Sequence, residues 1–292
     1  MADWPDYELI DFGTDGLGRG RRLERFGTLV LDRPCPAADG VTKQRPDAWA
    51  AAVARYDGAR ATDGVWKPAP KKWAPAAACR VPIGQGLTLG LTPTPAGQIG
   101  IFPEQFINWR WMYDRLNRYE RPLRVLNLFG YTGGSTLAAA AAGAQVTHVD
   151  ASKPSVQLAR DNAERSGMAA APIRWIVEDA AAYCQRELKR ASFYDAVILD
   201  PPSYGHGPKG EAWRLERDLP RLLELCRDLT AASRCLFLAT CHTPGIGPAE
   251  LSAYLSDAIV GDCSAPPASG RLWLSTPEGR RLESGVFARW PS

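Results

Sequence analysis

The sequence predicts a doubly wound α/β domain, a mostly parallel sheet of seven strands, preceded by a small β-rich N-terminal region. Three observations carry this. From about Arg124 onward, short apolar runs alternate with helix-like segments at the spacing of βαβ units. The first of these runs passes straight into a glycine-rich turn and then a helix. Before about residue 120 the texture differs, with many Trp, Pro, Gly and Arg residues and only short extended pieces.

In the N-terminal region YELIDF, FGTLVLD and LTLGLTPT read as strands, and KPAPKKWAPAAA from Lys67 reads as a loop or linker. Residues 1–78 form the β-rich region, 79–120 a connecting segment of strands and a helix, and 121–292 the doubly wound domain. In that domain RVLNLF is a buried strand, followed by a helix over Gly134 to Ala142. QVTHVD is the second strand, with a helix over Lys153 to Ser166; IRWIV is the third, with a helix from Asp179 to about Lys189. YDAVILD and CLFLAT are the fourth and fifth, with helices from about Leu215 to Leu229 and about Pro248 to Ile259. RLWLST and SGVFARW complete the seven.

Composition narrows the class. The chain is 45% hydrophobic and 23% charged over 292 residues, which suits one large domain or a large and a small one. A net charge of +3 is compatible with a nucleic-acid partner without requiring one. MADWPDYELI shows no basic start leading into an apolar stretch, so no secretory leader is expected. LAAAAAGA from Leu137 is too short to span a bilayer, so no membrane partner is expected. Cys35, Cys79, Cys184, Cys226, Cys235, Cys241 and Cys263 are scattered without a framework, which points to reduced thiols and a cytoplasmic setting. His148, His206 and His242 give no zinc-site spacing, and no metal is expected.

Ligands of doubly wound sheets bind at the carboxyl ends of the strands. Asp200 ends the fourth strand there, because Pro201 and Pro202 cannot continue a ladder. In NLFGYTGGST, Gly130, Gly133 and Gly134 allow a tight turn and close backbone approach to a ligand at a helix N-terminus. Asp150, twenty residues after Gly130, is placed to accept ribose hydroxyls, and Asp179 ends strand three where an adenine amino group can be read. The glycines do not follow G-x-G-x-x-G, which lowers the case for NAD. The order of glycine loop, two acids and D-P-P suits S-adenosylmethionine, which has no pyrophosphate to cradle. Turn glycines and helix-capping acids are the alternative for each feature taken alone.

NLFGYTGGSTLAAAAAGA, THVDASK, Asn162 in ARDNAERSG, VEDA and DPPSYG resemble the class I S-adenosylmethionine-dependent methyltransferases, with their Rossmann-like sheet. More narrowly they resemble the rRNA base methyltransferase family of RlmI and RlmK, as does GQIGIFPEQFINWRW from Gly97; the resemblance covers roughly residues 80–292. No PUA domain of the RlmI kind is recognised. The resemblance implies a cofactor site of Phe129, Gly130, Tyr131, Thr132, Gly133, Asp150, Ala151, Asp179, Ala180 and Asp200, with Gln105 nearby. It implies RNA, rRNA above all, as the substrate partner; a homodimer is left open.

A carboxylate followed by Pro-Pro offers an acceptor and rigid carbonyls to hold a planar base by its amino group. Asp200, Pro201, Pro202, Ser203 and Tyr204 are therefore candidate substrate residues, although the aromatic stands one place later than in amino-group methyltransferases. Cys241 in LATCHTPG matches the position of a cysteine in RlmI-like enzymes. Cytosine C5 is a poor nucleophile; a thiolate adding at C6 makes the ring an enamine whose C5 attacks the methyl. That role requires an exposed thiol of lowered pKa, whereas a small core residue is the ordinary place of a free cysteine. His242 neighbours Cys241 but points the other way along a strand. Methylation of an rRNA base, cytosine C5 with Cys241 as nucleophile, is the favoured expectation. The alternatives are a guanine or adenine nitrogen, a non-RNA acceptor, and a silent assembly factor that keeps the fold. His206 and Lys209 either contact substrate or lie in a solvated loop. Arg110, Arg115 and Arg118 with Arg19, Arg21, Arg22 and Arg25 form either a phosphate-tracking surface or ion-paired faces, Asp114 favouring the second. Trp109 and Trp111 either stack on bases or pack.

Overall fold

A computed structural model describes residues 4–58, 64–74, 77–206, 212–260 and 266–291. The chain divides into two compact units, Met1–Glu104 with Trp273–Ser284, and Gln105–Leu272 with Gly285–Ser292. Lys209 and Cys263 lie outside the described residues.

The first unit holds a sheet of β1 (Tyr7–Thr14), β2 (Gly20–Phe26), β3 (Leu29–Pro34), β4 (Ala54–Asp57) and β5 (Val65–Lys67), in that order, and a hairpin of β6 (Ala78–Val81) and β7 (Leu87–Gly90). FGTLVLD is not one strand. Phe26 pairs with Leu29, and Gly27 adopts φ +57° in the tight turn between β2 and β3. The unit runs past residue 78 because indole and phenol groups tie its parts together. Trp4 Nε1 donates to Arg80 O (2.6 Å), Trp66 Nε1 to Thr94 O (3.0 Å) and Tyr56 OH to Pro95 O (2.7 Å). The division between the compact units falls near residue 104, inside the segment 79–120 read as a connection.

The arginine-rich segment GRRLERF is strand β2 rather than a phosphate-tracking surface. Arg21 is 1% exposed and donates to Asp32 Oδ1 (2.5 Å) and to Tyr56 O (2.8 Å). Arg22 and Arg33 both pair with the buried Glu24, at 3.1 and 2.5 Å. Arg19 pairs with Asp15 (2.9 Å) and Arg25 with Glu8 (3.2 Å). Carboxylates of the same unit thus take up the four N-terminal arginines of the expected patch.

The second unit begins with α1 (Phe106–Leu116). Then come β8 (Arg124–Leu128), α2 (Gly134–Ala141), β9 (Gln145–Asp150), α3 (Lys153–Arg165), β10 (Ile173–Val177), α4 (Ala180–Lys189) and β11 (Ala196–Leu199). A short hairpin, β12 (Tyr204–His206) with β13 (Ala212–Arg214), replaces the plain loop expected after Asp200. The chain continues through α5 (Leu215–Leu229), β14 (Leu236–Cys241), α6 (Pro248–Leu255), β15 (Ala268–Ser275) and β16 (Arg281–Trp290). The expected helix from Pro248 leaves the α form after Leu255, continuing as a π turn over Ser256–Val260.

The sheet order is β10-β9-β8-β11-β14-β16-β15, parallel from β10 to β14, with β16 antiparallel to β14. β11 and β14 are buried at every position, as strands covered on both faces must be. Leu215, Leu219, Leu222, Leu223, Cys226 and Leu229 form the buried stripe of α5 at helical spacing. The order reverses between β8 and β11, and such a switch point opens a crevice at the carboxyl ends of the two strands. Two loops start there, Phe129–Gly133 and Asp200–Ser203.

Candidate active site

The loop after β8 is strained. Phe129 and Tyr131 have φ of +56° and +47°, conformations that cost a non-glycine residue about 1–3 kcal/mol each and concentrate at functional sites. Several bonds hold the loop in this form. Gly130 N–H donates to Val149 O (3.0 Å), Tyr131 N–H to Asp150 Oδ2 (2.9 Å), and the buried Asn162 donates through Nδ2 to Thr132 O (2.9 Å). The glycines answer to protein packing, a demand beside the ligand approach expected of them. A Cβ at Gly130 would overlap the His148 imidazole, and one at Gly134 the Trp109 indole; at Gly133 (φ +89°) it would meet Ala159 Cβ at 3.0 Å. Trp109, 4% exposed, is thereby a packing residue.

Beneath the loop, Asn127 Nδ2 donates to Thr136 Oγ1 (2.8 Å), which lies 2.8 Å from His148 Nδ1. Burial holds His148 neutral by lowering its pKa to about 3. Asp150 ends β9, with Oδ1 accepting from Ser152 N–H (2.8 Å) and Oδ2 from Tyr131 N–H. Burial raises its pKa, and those backbone donors oppose the rise. Each oxygen keeps a lone pair for a ligand hydroxyl. Ala151 is half-buried beside it. Asp179 caps α4, accepting from Ala182 N–H (2.9 Å), with Ala180 buried behind it.

Asp200 lies at the end of a directed polar chain. Arg289 donates through Nε (3.0 Å) and Nη2 (2.5 Å) to Asn108 Oδ1. Asn108 Nδ2 donates to Gln105 Oε1 (2.7 Å), and Gln105 Nε2 donates to Asp200 Oδ2 (3.1 Å). Asn108 and Gln105 are buried, and burial lowers the Arg289 pKa to about 10, which leaves it charged at neutral pH. The other carboxylate oxygen, Asp200 Oδ1, is buried without a hydrogen-bond partner among the described residues. His242 Nε2 stands 3.7 Å from it. A buried acceptor left without a donor is costly, and at a crevice it marks a place for a ligand.

The Pro-Pro loop is built from within. Pro201 is buried, while Pro202, Ser203 and Tyr204 are exposed, Tyr204 by 61%. Pro202 O already accepts from Trp213 Nε1 (2.7 Å), and Trp213 packs on Phe129 with centroids 5.1 Å apart. Thr243 Oγ1 donates to Ser203 Oγ (2.8 Å). Cys241 closes β14 at 1% exposure within the apolar core, its Sγ accepting from Thr243 N–H (3.4 Å). This burial withholds the exposure that a nucleophilic thiol requires.

The crevice therefore unites Asp150 and Asp200, at the strand ends where they were expected, with the Phe129–Gly133 loop and with Gln105, which immediately precedes α1. Asn108, Arg289 and Trp213 were not anticipated. Asn108 follows Gln105 by three residues on a helix, a spacing that places both on one face; Arg289 and Trp213 leave no comparable trace in the sequence.

A strained turn at the switch point, with carboxylates closing neighbouring parallel strands, defines a nucleoside-cofactor enzyme of the doubly wound class. Similarity to known proteins specifies which one. Residues 79–258 match the model of the S-adenosylmethionine-dependent methyltransferase family, and the chain belongs to that family. A crystal structure of the SAM-dependent methyltransferase from Agrobacterium tumefaciens superposes with a TM-score of 0.87 at 35% identity, covering 98% of this chain and 90% of that one. Ribosomal RNA large subunit methyltransferase I of Photobacterium profundum is 39% identical over 88 residues, 30% of this chain and 22% of the relative. The enzyme of the same name from Aeromonas salmonicida is 33% identical over 100 residues, 34% of this chain and 25% of the relative. The matched segments thus span about a quarter of these curated relatives.

Proposed function

We propose that the protein methylates a nitrogen of a base in large-subunit rRNA. The observation that carries the acceptor chemistry is Asp200. One of its oxygens is held by Gln105, and the other is buried without a partner among the described residues, beside the exposed Pro202–Tyr204 loop. A carboxylate so placed accepts a hydrogen bond from a base amino or imino group. The names of the curated relatives support rRNA as the substrate. S-adenosylmethionine, the family's cofactor, supplies an electrophilic methyl on a sulfonium when bound. Asp150 would hold its ribose hydroxyls and the strained loop with Asp179 its remaining nucleoside edge, while Asp200 and Gln105 would serve the reacting end. Tyr204, 61% exposed, would offer its ring to stack on the base.

A second reading keeps cytosine C5 with Cys241 as nucleophile. The Thr243 N–H donated to Sγ favours it, because such a donor stabilises a thiolate; the 1% exposure weighs against it. The test is nucleoside mass spectrometry of rRNA from cells lacking the gene, beside the parent strain. Loss of one methylated guanine or adenine is expected, with methylation restored in full by Cys241→Ala. Loss of 5-methylcytosine, with no rescue by that variant, would move the chemistry to Cys241. An unchanged nucleoside profile would remove rRNA as the substrate.

A further inference from the structure

We infer that His242 is the proton acceptor of the methyl-transfer step, and that the chain from Arg289 fixes the tautomer it needs. This rests on the reading of Asp200 as the acceptor site.

Donors and acceptors along the chain set its direction. A guanidinium has only donors, so the oxygen of Asn108 must face Arg289. Asn108 Nδ2 must then face Gln105, which turns Gln105 Oε1 toward Asn108 and Nε2 toward the crevice. That nitrogen lies 3.1 Å from Asp200 Oδ2 and 3.5 Å from His242 Nε2. A donor facing His242 Nε2 favours the tautomer with its lone pair there and its hydrogen on Nδ1. The far side of the ring is fitted as well. Gly285, at φ +115°, leaves room that a Cβ would fill, meeting His242 Nδ1 at 2.7 Å. Cys241, the preceding residue, is sunk in the core, whereas the His242 side chain is 37% exposed and within reach of a ligand in the crevice.

In the reaction the base nitrogen bonds to the methyl carbon as the carbon–sulfur bond breaks, its electron pair staying on sulfur in S-adenosylhomocysteine. The proton of that nitrogen passes to His242 Nε2 and then to solvent. The imidazolium so formed faces Asp200 Oδ1 across 3.7 Å, the oxygen that has no other partner among the described residues.

The first test needs no substrate. In the full chain labelled with 15N-histidine, at about pH 8 where an ordinary imidazole is neutral, two-bond 1H–15N correlations are expected to show hydrogen on Nδ1 of His242 and none on Nε2. His242→Gln assigns the signals, and Arg289→Met should let the other tautomer grow. Hydrogen on Nε2 in the parent protein overturns the proposal, whatever the methyl acceptor is. In the second test His242→Ala should lower single-turnover methyl transfer to rRNA about 100-fold or more, with cofactor affinity kept and part of the rate restored by added imidazole. A rate close to the parent's overturns the proposal. A parent protein that methylates no RNA overturns the rRNA reading instead, and the tautomer measurement then decides on His242 alone.

Discussion

His148 is a neutral imidazole sealed beneath the Phe129–Gly133 loop, and its burial couples stability to pH. Its folded pKa is about 3 against an ordinary 6.5, so in the window between those values the unfolded chain binds the extra proton. The contribution is complete above about pH 6.5 and is lost as pH falls, by about 2 kcal/mol at about pH 5 and roughly 4 kcal/mol at about pH 3. Urea unfolding of the parent and of His148→Gln at about pH 7.5 and about pH 5 checks this, since the variant cannot take up the proton. The parent should lose about 2 kcal/mol more than the variant across that interval; equal losses would assign the pH dependence to other groups. The same residue shows where sequence reading stops. The glycines of NLFGYTGG are legible as a special turn, but their packing partners are His148 and Trp109, which stand 18 residues after Gly130 and 25 before Gly134. Tertiary neighbours of this kind leave no local periodicity.

At the scale of elements, α1 and α2 meet where Gly134 gives the Trp109 indole its space and Ser135 Oγ accepts from Trp109 Nε1 at 3.0 Å. Gly134→Ala should destabilise by about 1–3 kcal/mol through overpacking, despite the better helix propensity of alanine. Trp109→Leu alone should cost a similar amount by opening a cavity. The double variant should cost less than the sum by about 1 kcal/mol, because each change relieves the other. Denaturant unfolding of all four proteins measures the cycle, and additivity would mean the two helices do not share this contact. Elements are legible in proportion to how continuous their apolar pattern is. IRWIV, QVTHVD and α5 appear with the predicted bounds: QVTHVD is a buried parallel strand and α5 an amphipathic helix, and both write their burial into composition, while the partly exposed IRWIV is legible by its β-branched and aromatic residues. GRRLERF is not legible as a strand, since its arginines are neutralised by Glu24, Asp32 and Glu8 of the same sheet. The hairpin after Asp200 escapes the sequence for a similar reason: Trp213 closes it onto Pro202 from eleven residues away.

At the scale of the whole molecule, the two compact units draw on different stabilising interactions. The first unit depends on buried ion pairs, Arg21 with Asp32 and Arg33 with Glu24, and on Arg280, which donates to Asp11 Oδ1 (2.7 Å) and lies 4.1 Å over the Phe12 ring. That last contact ties the turn between β15 and β16 to β1. The second unit depends on its apolar sheet and holds most of the segment matched by the family model. Removing one partner of a buried pair leaves a charge without compensation, so Arg21→Met should destabilise the first unit by about 3–5 kcal/mol. Ligand binding stabilises what it binds by roughly 2.7 kcal/mol at 100 times its dissociation constant. Scanning calorimetry of the parent and of Arg21→Met, with and without S-adenosylhomocysteine, separates the two effects. The variant should lower the transition of the first unit, the ligand should raise that of the second, and the ligand-induced shift should be the same in both proteins. A single transition that answers to both changes would show instead that the units unfold as one cooperative body, and the ion pairs of the first would then stabilise the methyltransferase fold directly.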